Sequence, residues 1–393
     1  MSILAGYRVL DFGRYIAGPY SATLMADFGA DVIRIEKIDG SEDRYMNPVA
    51  DDNSGALFMQ VNRNKRGMTL NPAKPQGREI VERLVATADV VVANLPPAGL
   101  KAIGLDYETL QQIKTDIILT TASAFGRGGP YSERVGFDGL GQAMSGGPYL
   151  SGTPDQPNRF ALPVVDFGTA MMSAYGTVLA LLHRERTGEG QMVEGALLRT
   201  ALTFSNSYLI EQAVLASDRV GTGNRSQLTG PADIIRASDG WLMIQVVGQP
   251  LFERWANMIG LPEIIEDPRF RTDLDRGDNG ELLSDMAQEH VRNLTVAEAL
   301  AAYGAAKVPA GPLLSPQQAL DDPHIGAVGY LQDTDYPGMA SAAPLATTPV
   351  HMTAGGGSIN SRAPTLGEHT DTILAELGYD ESTIAELRQA RIV

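Results

Sequence analysis

The sequence predicts an α/β protein built on a mostly parallel sheet, with a smaller second domain later in the chain. Three observations carry this expectation. Strand-like and helix-like segments alternate through the first hundred residues. The strand-like segments are continuous apolar runs, as strands covered on both faces require. After Asn224 the alternation gives way to a hairpin signal, acidic helices and proline-rich loops.

Tyr7–Phe12 reads as the first buried strand and Asp31–Glu36 as the second. Between them a helix runs from Pro19 to Phe28, opened by proline and closed at Gly29, residue types that suit those two ends. Pro75–Ala88 is the next helix, followed by strands at Asp89–Ala93 and Asp116–Thr121. Strands joined by helical crossovers pair in parallel. A further helix runs from Asp166 to about Arg186 and stops at Thr187-Gly-Glu-Gly190, and Ala196–Leu215 reads as an amphipathic linker helix. Ser238-Asp-Gly240, between Ala232–Ala237 and Trp241–Val246, signals a hairpin. The expected organisation is residues 1–200 as the first part of a large domain, 201–224 as linker, 225–335 as a small α+β domain, and 336–393 returning to the large one.

The 393 residues carry a formal net charge of −16, which repels nucleic acid and anionic membranes. An anionic small ligand therefore needs local cations working against the global field. No cysteine is present, which excludes disulfides, thiolate metal sites and thiol nucleophiles. The N-terminal residues lack a basic region followed by an apolar core, and no uncharged apolar run reads as a membrane span. A cytoplasmic setting is expected.

Several familiar chemistries lack their motifs. Gly13 and Gly18 lie in the first strand–helix turn, but no GxGxxG falls between Leu10 and Gly29, and no GK[ST] occurs. Asp-Phe-Gly appears twice, at Asp11 and Asp166, without the other elements of a kinase. His183, His290, His324, His351 and His369 have no metal-ligand spacing, and no GxSxG elbow supports a triad. No metal is expected. The basic residues of the first half, Lys37, the loop Asn62–Gly67, Lys101, Arg127 and Arg134, lie near predicted strand ends, where open α/β sheets bind ligands. That clustering points to a phosphorylated ligand.

Asp166 stands where the small, apolar stretch Ala161–Gly176 turns into a helix. A carboxylate is costly to bury unless paired, hydrogen-bonded or used. It suits a helix N-cap, and that position, with backbone donors and the helix dipole, should keep it ionised. Gly168, Thr169 and Ala170 are small enough to admit a substrate. An ionised, rigid, accessible carboxylate is what nucleophilic attack on an activated acyl group needs.

Leu10-Asp-Phe-Gly-Arg-Tyr-Ile-Ala-Gly-Pro19, followed by Asp27-Phe-Gly-Ala-Asp-Val-Ile-Arg-Ile-Glu-Lys37, resembles the opening of family III CoA-transferases, the CaiB/BaiF family. Asn62–Gly67, Val91–Leu95, Gly136–Gly146, Thr187–Gln191, Asp267–Phe270, Val308–Pro312 and Leu366–Thr370 match the family in the same order. The resemblance spans nearly the whole chain. It implies a Rossmann-like large domain that takes both chain ends, a smaller domain, and two interlocked subunits. It implies that Asp166 is the catalytic nucleophile. It places Ile16, Ala17, Lys37, Leu70, Asn71, Ala73, Asn94, Leu95, Pro96, Val135, Gly136, Phe137 and Asp138 around CoA. A family arginine that holds phosphate aligns with Ala102, so Lys101 or Arg134 is expected to take its part. The glycine-rich lid of formyl-CoA transferase is absent, with Val246–Pro250 in that region.

The family also contains α-methylacyl-CoA racemases, which place a histidine where Phe137 stands here. Racemisation needs a proton-transfer group on each face of the α-carbon, and Phe137 cannot supply one. The resemblance therefore implies an acyl-CoA:carboxylate CoA-transferase working through an aspartyl anhydride and an aspartyl-CoA thioester. The alternatives are a racemase or a non-catalytic CoA-binding protein. The expected partners are acyl-CoA, small carboxylic acids and a second copy of the chain, with no cofactor beyond CoA as substrate.

Overall fold

The computed structural model describes residues 2–393. Six strands form one parallel sheet: β1 (Arg8–Asp11), β2 (Asp31–Glu36), β3 (Lys65–Thr69), β4 (Val90–Val92), β5 (Ile118–Ser123) and β6 (Met192–Ala196). Their order is β3-β2-β1-β4-β5-β6. The chain winds outward from β1 to β3, then crosses back to β4 on the other side of β1. This is the doubly wound arrangement, and its switch point lies between β1 and β4. The fold is the α/β class that the alternating segments predicted.

Two strands were not foreseen. β3 begins with Lys65 and Arg66, which read as a basic loop, and β6 carries a glutamate and a glycine. Lys65 is fully buried in β3 because its Nζ donates to Asp11 Oδ2 at 2.8 Å and to three further oxygens. Tertiary pairing thus hides a charge that sequence patterning counts as polar.

Helix α1 (Ala17–Asp27) starts two residues before the expected Pro19 and is buried on nearly every side. Such a helix shows no polar face, since none meets solvent. Helix α2 (Pro75–Thr87) crosses from β3 to β4, and its Ile80, Leu84 and Val85 sit in the main apolar core. Ile373, Leu374, Ile384 and Leu387 from the C-terminal segment join the same core, and Asn71 donates its N–H to the Ile392 carbonyl. After β5 come the short helix α3 (Asp138–Met144), α4 (Val164–Thr187), and, beyond β6, α5 (Leu197–Leu215).

By length and composition α4 is apolar enough to cross a membrane, although no such span was read from the sequence. Here it lies against α1 and the sheet, with Val165, Ala170, Ala174, Ala180 and Leu181 buried. The edge-on contact of Tyr20 with Phe167, centroids 5.0 Å apart, locks its first turns to α1.

The chain divides into two compact units: Met1–Ser145, Phe160–Leu209 and Gly326–Val393 form one, Gly146–Arg159 and Ile210–Ile325 the other. The expected boundaries need correction. Residues 146–159 fold with the second unit, because Gly152 bonds to Gly223. The expected linker is instead shared, residues 201–209 with the first unit and 210–224 with the second, and the chain re-enters the first unit at Gly326. The second unit holds an antiparallel sheet of β7 (Ala232–Arg236), β8 (Trp241–Gln245) and β9 (Ala310–Pro312), in the order β9-β8-β7. Leu242, Ile244, Phe252, Trp255, Phe270 and Tyr303 form its own core.

Candidate active site

A cavity of about 240 Å³ opens in the first unit at the switch point. Residues Arg14–Ala17 after β1 and Asn94–Pro97 after β4 form two of its walls. Ala122–Ala124 at the end of β5, Ser132–Phe137 before α3, Asp166 and Leu197 complete it. All lie where the strands end or the following helices begin, the position at which open α/β sheets expose backbone and side chains to ligands.

The β1–α1 loop is held from four directions. Asp11 Oδ1 accepts from the Gly13 N–H at 2.8 Å. Arg34, buried and paired to Asp43 at 2.7 Å, donates to the Gly13 carbonyl. Asn94 accepts from the Arg14 N–H at 2.6 Å and donates back to the Arg14 carbonyl at 2.8 Å. Tyr15 follows with φ of 61°, strained for a residue other than glycine, and its ring meets Phe137 edge-on at 5.4 Å. Strain of this kind persists only where surroundings over-determine it.

Asp166 is the third residue of α4, not its N-cap, which is Pro163 and has no capping side chain. The cap comes from another helix. Buried Asp138, first residue of α3, accepts from the Val165 N–H at 2.7 Å and the Asp166 N–H at 3.0 Å through Oδ2. Gln142 donates to its other oxygen. Asp138 therefore fixes the backbone that carries Asp166. Burial, and secondarily the charge of Asp138, pushes the Asp166 carboxyl up to about 7. The expectation of a firmly ionised carboxylate is corrected: desolvation outweighs the helix end here. Gly168 also differs from its expected role. A Cβ there would meet Phe204 at 2.8 Å and Thr200 at 3.1 Å, so its smallness serves packing against α5. Thr169 is buried and hydrogen-bonds Thr200.

The cavity brings together Ile16, Ala17, Asn94, Leu95, Pro96, Arg134, Val135, Gly136, Phe137 and Asp166. Lys37, Leu70, Asn71, Ala73, Lys101 and Asp138 lie outside its wall. Leu70 is buried in the apolar core, and Asn71 caps its own turn by accepting from the Ala73 N–H at 3.2 Å. Most of the expected cluster of cations is taken up in ion pairs. Lys37 pairs with Glu42, Arg63 with Asp27, Lys65 with Asp11, Arg66 with Asp31 and Glu376, and Arg127 with Glu194. Among the described residues no group of three or more His, Cys, Asp or Glu side chains is arranged to hold a metal ion.

The model of CoA-transferase family III matches residues 4–370. The chain belongs to CoA-transferase family III. It is 31% identical to a succinyl-CoA–D-citramalate CoA-transferase of Chloroflexus aurantiacus, covering 98% of this chain and 97% of that protein. It is 31% identical to a succinate–glutarate CoA-transferase of Agrobacterium fabrum, covering 97% of each. The crystal structure of a CaiB/BaiF family protein from Brucella suis superposes with a TM-score of 0.83 at 32% identity, covering 96% of this chain and 99% of that one. Family membership accords with a cavity that presents a partly buried carboxyl and an apolar wall.

Proposed function

We propose that this CoA-transferase moves CoA between the thioester of a small dicarboxylic acid and a second small carboxylic acid, with Asp166 as covalent nucleophile. The observation that carries the reading is Asp166 itself: a carboxyl on the wall of the switch-point cavity, set by Asp138 and without an ion pair among the described residues. The two relatives act on succinyl, citramalyl and glutaryl groups by name, which supports dicarboxylic acids.

In the first step a carboxylate oxygen of Asp166 bonds to the acyl carbon of the donor, the C–S bond breaks and CoA leaves as thiolate. The thiolate attacks the aspartyl carbonyl of this mixed anhydride, releasing the donor acid as carboxylate and leaving an aspartyl-CoA thioester. The acceptor carboxylate attacks that thioester, forming a new anhydride and thiolate. The thiolate then takes the acyl group, and Asp166 returns as carboxylate. Thioester energy survives only if water is excluded, which the apolar wall of Ile16, Ala17, Leu95, Val135 and Leu197 favours. Helix α1 begins at Ala17 on the cavity wall, and its positive end favours negative charge developing nearby. No cofactor enters these steps. Lys37, Leu70, Asn71 and Ala73, outside the cavity, are assigned to CoA on the family resemblance, with Lys101 or Arg134 at a phosphate.

The working form is a homodimer. Helix α4 buries one stripe against α1 and the sheet, yet Met171, Tyr175, Val178 and Leu182 form a second apolar stripe that stays exposed. Spacings of four, three and four residues put these on one face. A helix apolar on both faces calls for partners on both.

The reaction is tested by mass-spectrometric detection of CoA exchange between succinyl-CoA and a panel of free carboxylic acids. Exchange into one or more dicarboxylates supports the reading. Hydrolysis alone, or α-proton exchange of a 2-methylacyl-CoA without transfer, would overturn it.

A further inference from the structure

In a chain this acidic, an anionic ligand depends on cations that no carboxylate has already claimed. On the cavity wall two meet that condition. Arg14 makes only backbone hydrogen bonds, from Nη1 to the Phe12 carbonyl at 3.3 Å and the Gly13 carbonyl at 2.9 Å. Arg134 lies over the Tyr131 ring, 4.0 Å from its centroid. Neither has a carboxylate within ion-pair distance among the described residues.

We propose that Arg14, assisted by Arg134, is the phosphate-receiving residue of the cavity and binds a phosphate of CoA. The proposal rests on the transferase reading above, and Arg14 stood outside the residues that the family resemblance assigns to CoA. Its position is rigid where it matters. Asn94 pairs with both backbone groups of Arg14, reaching from the end of β4 across the switch point to the end of β1. The Nε and Nη2 donors have no protein acceptor among the described residues, and Arg14 lines the cavity. A planar guanidinium presents them as a fork that matches two phosphate oxygens.

A second anion could compete for this cation, the distal carboxylate of a dicarboxylic acyl group. That group would sit a few ångströms from the reacting carbonyl, beside Asp166. Arg14 enters the cavity from the loop after β1 and Asp166 from the first turn of α4, two separate elements of its wall. Arg14 is assigned to the phosphate end, and the comparison of succinyl-CoA with acetyl-CoA below decides between the two anions.

The test is calorimetric binding of CoA and of pantetheine, which lacks the phosphates, to the wild type, Arg14→Gln, Arg14→Lys and Arg134→Gln. Loss of a charged hydrogen-bonding partner should weaken CoA on the order of 10- to 100-fold in Arg14→Gln. Arg14→Lys should recover part of that loss, Arg134→Gln should lose less, and pantetheine should bind all proteins alike. Equal CoA affinity in Arg14→Gln and wild type would overturn the proposal, as would an equal loss for pantetheine, which marks a structural role. A rise in KM confined to succinyl-CoA and absent with acetyl-CoA would give Arg14 to the acid and also overturn it. A wild type that binds CoA through Arg14 yet transfers nothing would refute the transferase reading and leave this one standing.

Discussion

At the scale of single residues, Asp166 was legible as an anomaly, a lone carboxylate in an interior-like stretch, but its chemistry was not. Whether a carboxyl is ionised depends on neighbours that sequence spacing does not reveal. With its pKa raised from 3.8 to about 7, Asp166 in the unliganded protein is largely the acid below neutrality. Attack needs the carboxylate, so kcat/KM should climb with pH and level off above a midpoint near 7. A flat profile between pH 5 and pH 8 would contradict this. The stability sign is opposite. The fold favours the neutral acid, so that contribution is complete below about pH 4 and is lost as pH rises through about 7. Asp166→Asn, which cannot ionise, should melt higher than wild type well above pH 7 and level with it near pH 4. Arg14 was illegible for a related reason: among the arginines, only the folded structure shows which have found a carboxylate.

At the scale of elements, β1, β2, β4 and β5 were readable because strands buried on both faces are continuous apolar runs. β3 was not, since Lys65 becomes interior only when it meets Asp11 from a strand more than fifty residues earlier. The basic loop Asn62–Gly67 belongs to the same lesson: Arg63 grips Asp27 through Nε at 3.1 Å and Nη2 at 2.7 Å, a structural tie rather than a phosphate site. Likewise the start of α4 looked self-capped by Asp166, whereas Asp138 from α3 does the capping. Asp138→Asn keeps an oxygen acceptor for both amides but removes the charge. The midpoint of the pH–rate profile should therefore move to lower pH, with little loss of stability. Asp138→Ala leaves those amides without their acceptor and should cost about 0.5–2 kcal/mol, read by denaturant unfolding. An unmoved midpoint in Asp138→Asn would show that Asp138 has no electrostatic part in setting Asp166.

At the scale of the whole molecule, the net charge of −16 and the apolar stripe on α4 pull in different directions, one toward solubility and one toward association. Light scattering should give the mass of two chains, and Tyr175→Glu with Val178→Glu should weaken the dimer; a wild-type monomer at micromolar concentration would contradict the assignment of that face. The doubly wound order carries the catalytic reading, because its switch point gathers loops from β1, β4 and β5 around Asp166. Covalent transfer through that carboxyl is the central claim, and trapping tests it most directly. Wild-type protein turning over succinyl-CoA with an acceptor acid, quenched with hydroxylamine and digested, should carry a hydroxamate on the peptide containing Asp166. Asp166→Ala should carry none and transfer no CoA while still binding it. Transfer at the wild-type rate with Asp166 unmodified, or with the adduct on another residue, would contradict the account.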